Sequence, residues 1–290
     1  MVQEQLEYIA VAFLDLLGHR EALRGLKRMP ESPQGILRAK QVMQRTACAA
    51  LEMRKDVLNF QSGFSGSGLR ERGAEGSEIP LCKEGLFTGQ PKMTVYGLSD
   101  AIVVAVQLGA PEEEHLPIMG VHRLLSTATM VMMKYLGLGH PLRGGIELGP
   151  GAIIEGELFG PALVRAYDLE NHFAEYPRVV IGEELVRYLE IASKEVTSQE
   201  ESLQIGAELA MECLDYVAVD TDDRFILDFL KKGAGGLAKG EELSLAFEVM
   251  HKFVSGQCQK NLEHGQEKLR ARYHRLLGYF ESRREYWGGG

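Results

Sequence analysis

Apolar residues run almost unbroken from Tyr8 to Leu14 (YIAVAFL), the pattern of a strand buried on both faces. The run ends in Asp15 and passes into LLGHREAL, where Gly18 permits a tight turn. From Ile36 to about Leu58 the apolar positions Ile36, Val42 or Met43, Ala47, Ala50 and Leu51 keep helical spacing. Residues 62–78 (SGFSGSGLRERGAEGSE) lose all period, and glycine and serine predict a flexible surface insertion extending to about residue 90. MTVYGLSDAIVVAVQL predicts a hairpin turning at Gly97-Leu98-Ser99. PEEEH opens a loop, and Leu116 to Leu136 predicts a helix with Ile118, Val121, Leu125, Ala128, Met132 and Tyr135 on one stripe. HPLRGGIELGPGAIIEGELFG reads as two short strands around Gly149-Pro150, followed by a helix from Pro161 to about Glu175.

Tyr176 to Ile181 is a further buried strand, Glu184 to Ile191 a helix, and DYVAVDTDDRFILDFL holds two more strands. KKGAGGLAKGEE reads as a hinge-like loop, and Leu243 to about Trp287 as helix rich in charge. The order predicts a ferredoxin-like βαββαβ core, an α+β domain with helices on one face of an antiparallel sheet. Residues 1–230 form this domain, and residues 231–290 a helical extension packed on the core or on a partner copy.

Charge narrows the function. With 32 Lys and Arg against 41 Asp and Glu, the chain of 290 residues carries a formal charge of −9, which speaks against nucleic-acid binding through a general basic surface. No apolar run approaches the ~20 residues that span a bilayer, and Asp15 interrupts the only apolar stretch near the start, which also lacks a basic flank. Cys48, Cys82, Cys213 and Cys258 lack metal-type spacing and read as free thiols of a cytoplasmic protein. The histidines show no HxxxH or HExxH spacing, so a zinc site has no support. The methionines of RLLSTATMVMMKYL read as core filler.

Two carboxylates stand out by context: Asp15 ends the first strand and Asp100 opens a strand after a tight turn. In a βαββαβ core those strands are neighbours, so both side chains reach one site. Carboxylates brought together favour a divalent cation, which removes their repulsion and accepts hard oxygen ligands. The turn Leu16-Leu17-Gly18, leading into a helix, offers N–H donors to a phosphate. The competing reading of either Asp is a turn or capping residue.

The chain resembles the class III nucleotide cyclases, and more closely their bacterial pyrimidine-cyclase branch from the Pycsar antiphage systems. VAFLDLLGHREAL, VYGLSDAIVVAV and LRGGIELGPGAIIEGELFGPALVRAYDLENHFAEYPRVVI carry the resemblance over most of residues 7–182. It implies that Asp15 and Asp100 bind two Mg²⁺ or Mn²⁺ ions, with the Leu16 carbonyl as an extra ligand, and that Arg143 of RGGI holds the polyphosphate. Purine cyclases of the family commonly carry Lys four residues before the second metal Asp; Tyr96 stands there in this chain. The second base-reading position is Glu157, which suits a base N–H.

The implied reaction converts UTP to 3′,5′-cyclic UMP and pyrophosphate, with CTP open, in a head-to-tail homodimer with shared sites. The product would be a second messenger in phage defence, sensed by a separate effector protein. One departure stands out. The family's Asn and Arg, four and eight residues after the glycine of the FG pair, are replaced by Val164 and Asp168. Arg165 and Arg178 are the candidates to supply the missing cation. The alternatives are a purine cyclase, a catalytically inactive nucleotide-binding regulator, and a diguanylate-forming enzyme, which the absence of a GGDEF-like turn disfavours.

Overall fold

The computed structural model describes residues 6–26, 29–66, 70–72, 78–80, 92–110, 117–194, 201–231 and 241–287. Strand β1 (Glu7–Leu16) lies at the centre of the main sheet. On one side it pairs antiparallel with β5 (Ala101–Gly109), which pairs with β4 (Met93–Leu98). On the other side it pairs antiparallel with the long β6 (Leu142–Ile154). Helices α1 (His19–Arg24) and α2 (Pro33–Gly66) follow β1, with a small β2–β3 ladder (Arg70–Arg72, Glu78–Pro80) before β4. Helix α3 (Ile118–Gly137) joins β5 to β6. The sheet order β4-β5-β1-β6 is that of a βαββαβ core, as the sequence predicts.

Beyond β6 come β7 (Glu157–Phe159), which folds back on β6, helix α4 (Pro161–Asp168) and a π-helical turn, Leu169–Phe173. Strand β8 (Val179–Ile181) adds parallel to β6, and α5 (Glu183–Ala192) and α6 (Glu201–Asp215) follow. A short ribbon of β9 (Val217–Val219) and β10 (Phe225–Leu227) completes the sheet. Helices α7 (Glu241–Glu263), α8 (Glu267–Ser282) and α9 (Arg284–Trp287) close the described chain.

Period-two alternation along β1 divides the core. Even positions Ala10, Ala12 and Leu14 face α2 and α3 in the main cluster, where Val121, Leu125, Met132 and Tyr135 of the predicted α3 stripe are buried. Phe247, Met250 and Val254 of α7 and Leu276 and Phe280 of α8 join the same cluster, so the C-terminal helices pack on the core. Odd positions Ile9, Val11 and Phe13 face a smaller cluster with Ala162 and Ala166 of α4. Helices therefore occupy both faces, against the one-sided packing expected. Among the described residues the second face is covered only in part: α4 packs on β6 and β1.

Other expectations shift. Gly149-Pro150 is no turn, because β6 runs through it and Pro150 sits opposite Tyr8. The actual turn is Glu155-Gly156, with both residues at positive φ. The glycines of this strand admit close neighbours instead: a Cβ on Gly151 would lie 3.0 Å from the Phe159 carbonyl oxygen of β7, and one on Gly145 would lie 2.6 Å from Leu169 Cβ. On α2 the buried described residues are Ala39, Thr46, Ala49, Ala50, Met53 and Val57, while Ile36, Met43 and Leu51 are exposed, so the predicted stripe is rotated from the true one. Helix α6 replaces an expected connection, and the expected C-terminal helix breaks before Gly265, at φ 65°. Most of the predicted insertion at 62–90, the loop after Ala110, much of the 231–242 loop and the last three glycines lie outside the described residues. Among the described residues no helix is long and apolar enough to cross a membrane.

Candidate functional site

The register of the sheet sets the site. Asp15 sits opposite Ala101 on one side and Arg143 on the other. Asp100 precedes Ala101 in the two-residue hairpin turn after Ser99, which takes φ 58°. The N–H of Leu16 donates to the Asp100 carbonyl at 3.2 Å, fixing the two strand ends together. Asp15 and Asp100 are 2% and 5% exposed. The structure thus brings the two predicted carboxylates and Arg143 to one end of three adjacent strands.

Their partners differ. Asp15 Oδ2 accepts from Arg143 Nε and Nη2 at 3.4 Å each, long for a charge-assisted pair. Asp100 lies beside His19, whose ring is 5.7 Å from that of His140. Burial, then the charge of His140, lowers the His19 pKa, so at neutral pH the ring adds no charge to Asp100. Among the described residues Oδ2 of Asp100 is buried without a hydrogen-bond partner. A buried carboxylate oxygen left so is costly, and a cation would satisfy it.

The donor set fits a hard divalent ion held through two carboxylates. Among the described residues no group of three or more His, Cys, Asp or Glu gathers as a complete cage. Such a site would draw its remaining ligands from substrate phosphates and water, as Mg²⁺ sites do. The turn after β1 departs from expectation. The N–H groups of Leu16 and Leu17 are spent on the carbonyls of Asp100 and Pro141, leaving Gly18, at φ 89°, as the turn residue with open space around it.

Tyr96 and Glu157 come together at a separate place. Tyr96 lies opposite Val103 and packs against the smaller cluster. With Phe13, Leu98, Val103, Leu163, Val164 and Tyr167 the two line an open cleft of about 360 Å³, on the face of the sheet that carries α4. The Phe13 and Tyr167 rings meet edge to face at 5.4 Å. Burial, then the charge of Glu157, pushes the Tyr96 hydroxyl pKa up, so it keeps its proton at neutral pH and can donate. Asp15, Asp100 and Arg143 do not line this cleft.

Neither substitute cation reaches these groups. Arg165 lies over Gly149 in a different cleft, with Glu147, Phe173 and Arg224. Arg178 is buried and donates to Asp220, to both oxygens of Asp222 at 2.8 and 2.6 Å, and to the Phe173 carbonyl at 2.7 Å. Val164 is exposed and Asp168 half-buried. Two carboxylates went unnoticed in the sequence. Glu170, in the π-helical turn, lies 2.6 Å from Arg143 Nε. Glu147 accepts from the N–H groups of Leu148 and Leu185, capping α5 from a neighbouring strand. Neither has a local motif; only the register and the helix packing find them.

No family model and no curated protein matches the chain. Among solved structures it is similar to a class III adenylyl cyclase-like ATP-binding protein from Pseudomonas aeruginosa. The TM-score is 0.35 at 12% identity, over 73% of this chain and 41% of that one. The chain therefore spans less than half the length of that protein, and so weak a likeness carries no functional information.

Proposed function

We propose that the chain is a nucleotide cyclase of the class III type, closing a nucleoside triphosphate to its 3′,5′-cyclic monophosphate. The observation that carries this reading is the meeting of Asp15, Asp100 and Arg143 at one end of three paired strands. The ribose 3′-oxygen bonds to the α-phosphorus as the bond to pyrophosphate breaks, and the hydroxyl proton leaves to solvent. Mg²⁺ or Mn²⁺ bound by Asp15 and Asp100, with the Leu16 carbonyl, would acidify that hydroxyl and neutralise the leaving pyrophosphate. Arg143 supplies a fixed charge and a fork of donors for the triphosphate.

Tyr96 and Glu157 read the base. A ring in place of a lysine narrows the pocket, and a carboxylate suits the N3–H of uracil, so UTP is the favoured substrate and CTP the next. Their cleft is separate from the carboxylate pair, and Leu98, Val164 and Tyr167 beside it are exposed among the described residues. That arrangement supports a site completed by a second copy, head to tail. The phage-defence role, with a separate effector sensing the cyclic product, follows from the resemblance alone.

Incubation with each of the four nucleoside triphosphates and Mn²⁺, read by mass spectrometry, tests this. Cyclic UMP from UTP is expected, and Asp100→Ala should lower turnover by roughly 10³-fold with the fold intact. Substantial turnover by that variant removes the metal assignment. Tyr96→Lys should raise the share of ATP converted; an unchanged UTP-to-ATP ratio removes the ring from base choice. A second reading, a silent nucleotide-binding regulator, is favoured by the exposed Val164, by Asp168 in place of an arginine, and by an Arg178 whose terminal nitrogens are taken by Asp220, Asp222 and the Phe173 carbonyl. Nucleotide binding without pyrophosphate release would select it.

A further inference from the structure

A second cleft, on the other side of α4 from Tyr96, is built around one buried carboxylate. On the face of β6 that meets α4, alternate positions read Gly145, Glu147, Gly149 and Gly151, so Glu147 alone projects a side chain there. Glu147 is 4% exposed. A Cβ on Gly182 would run into its carboxylate, so the glycine that precedes α5 makes room for it. Oε1 accepts from the N–H groups of Leu148 and Leu185 at 2.8 and 3.0 Å. Oε2 accepts from no described group. Burial pushes the Glu147 pKa up, against those two N–H groups and the charge of Arg165. Capping α5 uses one oxygen; the other is a desolvated acceptor whose charge the fold leaves poorly compensated.

Glu147 and Gly182 line an open cleft of about 300 Å³, together with Arg165 and Arg224. Both arginines are half-buried and held in place by apolar or backbone surface. Arg224 lies over the Phe173 ring at 4.1 Å. A Cβ on Gly149 would lie 3.4 Å from Arg165 Nη2, so the glycine lets that guanidinium approach the strand. Among the described residues neither guanidinium has a hydrogen-bond or ion-pair partner, although Asp168, Glu183, Glu184 and Asp223 line the same cleft. The cleft thus holds two unpaired cations and an unpaired buried carboxylate oxygen side by side.

We propose that this cleft binds a small zwitterion, with the size and charge pattern of a free amino acid, its ammonium group on Oε2 of Glu147 and its carboxylate between Arg165 and Arg224. An anion alone would face Glu147 and the four other acids. A cation alone would face two guanidiniums that have no counter-charge. A ligand carrying both ends satisfies all three groups through charge-assisted hydrogen bonds. The volume lies at the small end of ligand pockets, as such a molecule requires. Asp15, Asp100, Arg143, Tyr96 and Glu157 do not line this cleft, so the site stands independently of the nucleotide reading.

The test is isothermal titration calorimetry of the full chain, without nucleotide, against each standard L-amino acid and γ-aminobutyrate. Acetate and putrescine serve as probes that carry one kind of charge only. At least one zwitterion should bind with a Kd below about 1 mM, and both one-sided probes should bind at least about tenfold more weakly. Glu147→Gln keeps an oxygen for the Leu148 and Leu185 N–H groups and removes the charge; it should weaken the bound zwitterion by about tenfold or more. Arg165→Met and Arg224→Met should each do the same, and they decide the matter should Glu147→Gln fail to fold. No binding by any zwitterion, equal binding of acetate or putrescine, or unchanged affinity in both arginine variants overturns the proposal.

Discussion

Two arginines of this chain lie among carboxylates, and they are opposite kinds of structure. Arg178 is closed: Asp220, both oxygens of Asp222 and the Phe173 carbonyl take its terminal nitrogens. Tyr176 lies under its guanidinium at 4.9 Å and donates its hydroxyl to Asp220 at 2.7 Å. Arg275 of α8 stands at 4.9 Å from the same ring and pairs with Glu175 at 2.6 Å. Arg143 is open by comparison: at the rim of three strand ends it donates to Asp15 over 3.4 Å and lies 2.6 Å from Glu170 as an ion pair without hydrogen-bond geometry. A guanidinium with both terminal nitrogens taken holds structure, whereas one with only long contacts beside two acids retains donors for something that arrives later. The sequence offers Arg143 as the polyphosphate holder and Arg178 as a candidate for the missing cation; its partners assign Arg178 to the framework.

The largest break in this comparison comes from Arg178→Met. It strands two carboxylates around an emptied position, and a cost of about 3–5 kcal/mol in unfolding free energy is expected, read from denaturant midpoints. A loss under about 1 kcal/mol would show that the clasp is dispensable. Arg143→Lys is the next step down. It keeps the charge and removes the fork, so turnover should fall by about tenfold or more while the melting temperature stays near wild type. The reverse outcome, stable turnover with a large drop in melting temperature, would make Arg143 a second framework residue.

The smallest effect is a pH dependence of the Arg178 clasp. Hydrogen bonding from Arg178 holds the Asp222 carboxyl at about 2, below its ordinary 3.8. A depressed carboxylate contributes its stability in full above the unfolded value and loses it as pH falls through the folded one. The wild-type advantage over Asp222→Asn should therefore be constant above about pH 5 and shrink between about pH 4 and pH 2. An advantage independent of pH across that window would show that Asp222 contributes through packing alone.

What the sequence made legible follows from the range of each signal. The α3 stripe was readable because a helix buried along one face repeats its apolar residues locally, and Val121, Leu125, Met132 and Tyr135 all lie in the core. The α2 stripe misled because small and polar side chains, Ala39, Thr46 and Ala49, face inward while larger ones such as Leu51 face out. Gly149-Pro150 carried a turn signal whose cause was tertiary: the strand clears room for α4. Asp15 and Asp100 were nameable from their strand-end context, but their juxtaposition depends on the register of Asp15 with Ala101. Glu170 gave no signal, since its meaning depends on a π-helical turn pressed against Gly145.

The sharing of one apolar cluster between α3 and the C-terminal helices has a practical side. A truncation after Leu230 would carry away Phe247, Met250, Val254, Leu276 and Phe280 and leave an oily flank in their place. The loop beyond Leu230 marks a change of composition along the chain; it does not mark a seam along which the protein can be cut.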